Sequence, residues 1–224
     1  MSSFLANNWG IDSCVLYDRP PSSFRRIDDI EVRHALFKSL QHHAGVDVNS
    51  GEDETVATYR NHEGFIVPRS SRPAIIVSST SWTPDEDFGI LLKALRTLDN
   101  RLSNMQGGLK FSSNDALCGR VLCIVTGRGP MRRTFEQAVA EASMKSIDVW
   151  FAWLPLEDYP RLLGCADLGI SLHTSSSELD LPMKVVDMLG CGLPVLAYRY
   201  KCIEELIKSG KTGFYFVKAK SCAI

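Results

Sequence analysis

The chain has 224 residues, with 25 Lys and Arg against 26 Asp and Glu for a formal net charge of −1, and 45% of them are hydrophobic. That balance provides no global basic field for nucleic acid or an acidic membrane, and the apolar fraction suffices for a globular core. With no apolar run near the roughly 20 residues of a membrane helix, no secretory signal, and seven scattered cysteines lacking a Cys-x-x-Cys pair, the chain alone reads as soluble and cytosolic, its thiols reduced.

In chain order, Cys14 to Tyr17 predicts a short strand, and the spacing of Ile30, Ala35, Leu36, Phe37 and Leu40 predicts a helix. Residues 43–72 are polar and poor in large apolar side chains, the composition of a flexible connection. From Pro73 an α/β rhythm begins. Strands are predicted at Ala74–Ser78, Arg120–Thr126, Ile147–Phe151, Leu168–Leu172, Pro194–Ala197 and Phe214–Val217, with helices near 85–99, 131–143, 157–165, 182–190 and 202–208. Ile75-Ile76-Val77 and Val121 to Val125 are continuous apolar runs, as expected of parallel strands buried on both faces. The predicted fold class is α/β, a Rossmann-like doubly wound parallel sheet over residues 73–217, with a surface loop at Ser103 to Leu117 and an irregular tail at 218–224.

Several segments carry candidate chemistry. Thr83-Pro84-Asp85-Glu86 has the form of a capping box, with Glu86 reaching back to the helix start and Asp85 and Asp87 complementing its dipole. The dipole alone explains that acidic cluster, and no metal site is read from it. Gly127-Arg128-Gly129-Pro130 joins the most apolar strand to a helix. Its glycines permit a tight turn near a ligand, and Arg128, Arg132 and Arg133 offer charge to a diphosphate, but an ordinary turn with surface arginines fits equally. As a dinucleotide fingerprint it fails, because Arg132 stands at the third glycine position and Asp148 is the only acid at a suitable distance for a ribose. His173, Thr174, Ser175, Ser176 and Ser177 follow a strand, where they could bond sugar or phosphate oxygens or form a simple turn. Asp180, Leu181, Pro182, Met183 and Lys184 lead into the next helix, whose free amides suit a phosphate. Asp187 lies one turn further, three residues from Lys184, placed for a surface ion pair or for a ligand. Trp150, Phe151 and Trp153 form an aromatic cluster suited to a core or to a covered face.

His-Thr-Ser-Ser-Ser at 173–177, Asp-Leu-Pro-Met-Lys-Val-Val-Asp at 180–187, Ser-Ser-Thr-Ser-Trp-Thr at 78–83 and Asp-Glu-Asp-Phe at 85–88 together resemble the chitobiosyldiphosphodolichol β-mannosyltransferases, from about Asn8 to about Phe216. The resemblance covers only the second half of such an enzyme. It implies the C-terminal donor domain of a GT-B glycosyltransferase, with residues 1–72 a small remnant of the acceptor-side domain and its linker. GDP-mannose is the implied donor substrate, with no tightly bound cofactor and no metal. The implied acceptor is lipid-linked chitobiose at the cytosolic face of the endoplasmic reticulum, in N-glycan precursor synthesis, with other glycosyltransferases of the pathway as partners. It places Gly127 and Arg128 on the nucleotide side of the cleft and Asp187 on the ribose hydroxyls. Asp180 departs from the superfamily pattern, since Asp and Asp with six residues between replace Glu and Glu with seven. The catalytic base would come from the facing domain. Taken by itself, the chain is expected to be inactive in transfer. A catalytically inactive paralogue, or a nucleotide-binding or interaction protein, is the alternative reading.

Overall fold

The computed structural model describes residues 2–46, 53–106, 120–174 and 179–217. Helices α1 (Ser2–Trp9) and α2 (Ile30–His43) precede a two-stranded antiparallel hairpin of β1 (Thr58–Arg60) and β2 (Ile66–Pro68). Then follow β3 (Ala74–Ser79), α3 (Phe88–Gln106), β4 (Val121–Thr126), α4 (Arg132–Ala142), β5 (Ile147–Ala152) and α5 (Asp158–Cys165). The chain continues through β6 (Leu168–Ser171), α6 (Met183–Gly190), β7 (Val195–Tyr198), α7 (Ile203–Leu206) and β8 (Gly213–Phe216).

Strands β3 to β8 form one parallel sheet in the order β5-β4-β3-β6-β7-β8. Counted within this sheet, the order is 3-2-1-4-5-6, the doubly wound arrangement, and the predicted fold class holds. Alternation along the strands divides the core into two layers. Ile75, Val77, Leu122, Ile124 and Trp150 face one layer with Leu162 and Leu163 of α5 and Val185 and Met188 of α6. Ile76, Val121, Cys123 and Val125 face the other with Leu91 and Leu95 of α3 and Phe135 of α4. Since successive strand side chains point to opposite faces, a strand covered on both sides must be apolar throughout, and all six residues of β4 are buried. Of the aromatic cluster, Trp150 is 6% exposed, Phe151 is partly buried against the second layer, and Trp153, at 49%, is on the surface.

The N-terminal segment joins the first of these layers. Asp29 caps α2 by accepting from the amides of Glu31 and Val32, and Leu36, Phe37 and Leu40 enter the core. Residues 20–27 cross α5 and α6 at two glycines. A Cβ on Gly164 would lie 2.3 Å from the carbonyl oxygen of Arg25, and one on Gly190 would lie 2.4 Å from the Pro20 ring.

Two expectations change. Cys14 to Tyr17 is not a strand but exposed irregular chain, because an apolar run needs a ladder partner and both sheet edges lie elsewhere; Tyr17 donates its hydroxyl to Glu205 at 2.7 Å instead. The polar segment 43–72 contains the β1–β2 hairpin, closed by Asn61, whose side chain accepts from the amides of Glu63 and Phe65, and by Gly64 at φ +86°. Helix α3 also runs to Gln106, four residues into the expected loop at 103–117, of which 107–117 lie outside the described residues.

Candidate functional site

The order of strand addition reverses at β3 and β6, so the helices that follow these parallel strands leave to opposite faces and a crevice opens beyond their carboxyl ends. A cavity of about 320 Å³ lies there. It is lined by Ser79 and Thr80 at the end of β3, Thr126 and Gly127 at the end of β4, Trp153 to Leu156 after β5, and Tyr159 of α5.

The two glycines of the β4–α4 turn have a packing cause. A Cβ on Gly127, at φ +136°, would lie 1.7 Å from the carbonyl oxygen of Thr80, and one on Gly129 would lie 1.9 Å from that of Ser81. Only glycine lets the loop after β3 close against this turn. Arg128 is exposed, its guanidinium 4.5 Å above the ring of Trp153, in a second cavity that shares Trp153 and Pro155 with the first. Arg132, expected to offer charge to a phosphate, is engaged instead with Glu136 at 2.6 Å, an i,i+4 pair. Arg133 is exposed on α4.

Glu86 does not cap a helix. The helix begins at Phe88, and Asp87 accepts from the Gly89 amide at 3.0 Å, the bond a capping side chain makes. Glu86 is 2% exposed and receives the Thr80 hydroxyl on one oxygen and Lys184 Nζ, at 2.5 Å, on the other. The pair consumes the cation that the sequence set three residues from Asp187, so the expected Lys184–Asp187 surface pair does not form. Burial without a partner would be costly for either charge; together, with a hydroxyl added, they satisfy each other.

A backbone bridge joins Glu86 to His173, tying the loop after β3 to the loop after β6. His173 Nε2 meets Asp180 Oδ2 at 2.7 Å, Nδ1 lies 3.8 Å from Asp85, and Thr174 donates to the Asp85 carbonyl at 2.6 Å. Tyr200 donates to the Asp180 carbonyl at 3.2 Å. Leu181 packs on the core, Pro182 is buried at the head of α6, and Met183 is exposed on its first turn. Ser175 and Ser176 lie outside the described residues.

Asp187 is half-buried on α6, and no described residue donates to its carboxylate. Burial pushes this acid above the ordinary carboxylate value. Burial pushes the phenol of Tyr159, in the cavity wall, up to about 12; the Ser79 hydroxyl opposes that rise and the Asp187 charge adds a smaller one. Of the proposed donor-site residues, Gly127 lines the cavity, Arg128 lies over Trp153 beside it, Asp187 is half-buried on α6, and His173, Asp180 and Lys184 gather around Glu86. Thr80, Glu86 and Tyr159 were not expected in this neighbourhood. Thr80 carried a signal, as a hydroxyl at the carboxyl end of a buried run, whereas nothing in the spacing marks Tyr159.

Residues 108–223 match the model of the glycosyl transferases group 1 family. Over its whole length the chain is 44% identical to a protein of Arabidopsis thaliana named UDP-glycosyltransferase TURAN, covering 50% of it. The chitobiosyldiphosphodolichol β-mannosyltransferases of Mus musculus and Homo sapiens are each 41% identical over the whole chain, which covers 45% and 47% of them. The chain thus spans about half the length of the curated relatives it matches. In structure it is similar to HepE of Anabaena, crystallised with UDP and glucose, at a TM-score of 0.56 and 17% identity over 91% of this chain and 43% of that one. A family match over more than half the chain, on a doubly wound sheet with its crevice at the switch point, makes this chain a member of the glycosyl transferases group 1 family.

Proposed function

We propose that this chain carries the nucleotide-sugar half of a β-mannosyltransferase, which binds GDP-mannose and delivers mannose to chitobiosyl-diphosphodolichol at the cytosolic face of the endoplasmic reticulum. The observation that carries this reading is the continuity of the crevice. From the cavity below Trp153 and Pro155, Thr80 leads to Glu86, and Glu86 to Lys184 and His173, so that space for a base and ribose adjoins polar groups suited to a diphosphate and a hexose. In this arrangement the half-buried Asp187 accepts the ribose hydroxyls, one on each oxygen. Lys184 and the free amides at the head of α6 stabilise negative charge as the diphosphate departs. The names of the mouse and human relatives support mannose and the dolichol-linked acceptor. No described helix is long and apolar enough to cross a membrane.

One observation favours a second donor: the Arabidopsis relative is named for UDP. Calorimetric titration with GDP, GDP-mannose, UDP and NADH separates the readings. GDP and GDP-mannose are expected to bind in preference to the other two. UDP in preference to GDP would replace the donor, and NADH binding without a GDP response would remove the mannosyltransferase reading altogether.

A further inference from the structure

We propose that Glu86 is a positioning residue, whose buried carboxylate fixes Lys184 at the phosphate end of the crevice so that a nucleoside diphosphate meets a cation already oriented. The inference rests on the donor-binding reading above. It begins with a carboxylate in an unusual place. Glu86 is 2% exposed, in a loop, and Asp87 rather than Glu86 makes the capping bond of α3. Hiding a carboxylate is unfavourable unless its oxygens are satisfied, and here each oxygen has one partner, Thr80 from the cavity wall and Lys184 from the first turn of α6. The two partners come from opposite sides of the switch point, one after β3 and one after β6. The backbone bridge from Glu86 to His173 fixes the spacing between these loops.

This geometry changes what Lys184 can do. A free lysine has many rotamers, and ordering it on a ligand costs affinity. Held by Glu86 and only 20% exposed, Lys184 has most of that ordering completed before the ligand arrives. An ammonium has three N–H donors; Glu86 occupies one, leaving the others for phosphate oxygens. Thr80 completes the device, since its hydroxyl donates to Glu86 while its oxygen accepts from the Trp82 amide at 2.8 Å, holding the carboxylate from the cavity side.

The test compares GDP with guanosine by calorimetry on the wild-type chain and on Glu86→Ala, Glu86→Gln, Lys184→Ala and the Glu86→Ala/Lys184→Ala double variant, each checked for folding by thermal melting. Removing a negative charge beside a diphosphate would by itself tighten GDP, so loss of affinity is opposite in sign to the general electrostatic effect. Glu86→Ala is expected to weaken GDP about tenfold, the scale of one hydrogen bond to a charged group, and to leave guanosine unchanged. Glu86→Gln keeps one acceptor oxygen for Lys184, as a neutral-acceptor bond, and turns its NH2 group to the Thr80 hydroxyl oxygen, and it is expected to weaken GDP only about threefold. In the Lys184→Ala background, Glu86→Ala should cost nothing further, because the residue acts through the lysine. GDP binding as tight as wild type or tighter in the Glu86 variants, or equal loss for GDP and guanosine, overturns the proposal while leaving donor binding intact. If Glu86→Ala does not fold, Glu86→Gln decides by the same GDP-to-guanosine ratio. A wild-type chain that binds neither ligand removes the donor reading, and this proposal with it.

Discussion

The two ends of the parallel sheet use the same residue types in opposite ways. At the amino end, Asp167 before β6 takes both guanidinium nitrogens of Arg72 at 2.6 and 2.7 Å and the Ile75 amide at 2.8 Å, while Arg72 also donates to the Pro73 carbonyl. That cluster is closed on itself. At the carboxyl end, Asp187 has no described donor, Lys184 keeps two N–H groups beyond Glu86, and a cavity separates the strand ends. Polar groups satisfied within the protein contribute stability, whereas those left open at a crevice are available to a ligand. One sheet therefore carries a closed, structural end and an end open to a crevice, which is the binding end in the proposed function.

Gly127→Ala should break this contrast most severely, because it strikes the binding end yet acts through the fold. The new Cβ meets a backbone carbonyl at 1.7 Å and the residue sits at φ +136°, so neither side chain nor backbone can yield cheaply. A loss of about 3 kcal/mol or more is expected in urea unfolding, combining backbone strain with overpacking. A variant within ~0.5 kcal/mol of wild type would show that the loops after β3 and β4 do not close as described. Next in size comes Asp167→Ala, which leaves the Arg72 guanidinium partly buried without its carboxylate. It should cost about 2 kcal/mol of stability and leave GDP affinity as in wild type, since the cluster lies at the far end of the sheet. Weakened GDP binding in a folded Asp167→Ala protein would contradict the division between the ends.

How far these ends were legible in the sequence differs for a physical reason. The strands Val121–Thr126 and Ala74–Ser79 could be read because burial on both faces demands unbroken apolar runs, a local property. The head of α6 was visible in Leu181-Pro182, which ends one extended segment and starts a helix. Glu86 was not. Thr83-Pro84-Asp85-Glu86 has the letters of a capping box, and only the arrival of Lys184, 98 residues later, makes the carboxylate a buried ion-pair partner. Gly127 and Gly129 were recognised as a turn, but the reason for glycine lies in Thr80 and Ser81, on another loop. Cys14 to Tyr17 erred the opposite way: a local apolar run implies a strand only where another strand is free to pair. Long-range partners, absent from any local pattern, account for each of these differences.

Asp187→Ala sharpens the comparison from the binding end. It should weaken GDP and guanosine alike by about 1–3 kcal/mol, the range for hydrogen bonds to a charged acceptor, because both ligands carry the ribose. Stability should not fall, since no described donor loses a partner and a half-buried charge is removed. Loss of GDP affinity with guanosine unchanged would move Asp187 from the ribose to the phosphate end.

The smallest expected effect is a pair of opposite pH dependences. For Asp167, burial raises the carboxyl, but Arg72 and the Ile75 amide outweigh it and hold the group below its ordinary value of 3.8. A depressed acid stabilises the fold fully above the unfolded value and loses that contribution as pH falls through the folded one. For Asp187, burial alone raises the carboxyl above 3.8, so ionisation on the way to neutral pH destabilises the fold. Urea unfolding of wild type, Asp167→Asn and Asp187→Asn between about pH 3 and 7 should therefore diverge in opposite directions. Asp167→Asn should be less stable than wild type at neutral pH and approach it as the pH drops below 3.8. Asp187→Asn should match wild type at the acid end and gain on it as the pH rises above 3.8. Guanosine affinity of the wild type should weaken through that second window as the pH is lowered, because a protonated Asp187 no longer offers two acceptors to the ribose. Parallel pH curves for the two variants would mean that both carboxylates sit in equivalent surroundings, which is incompatible with a closed cluster at one end of the sheet and an open crevice at the other.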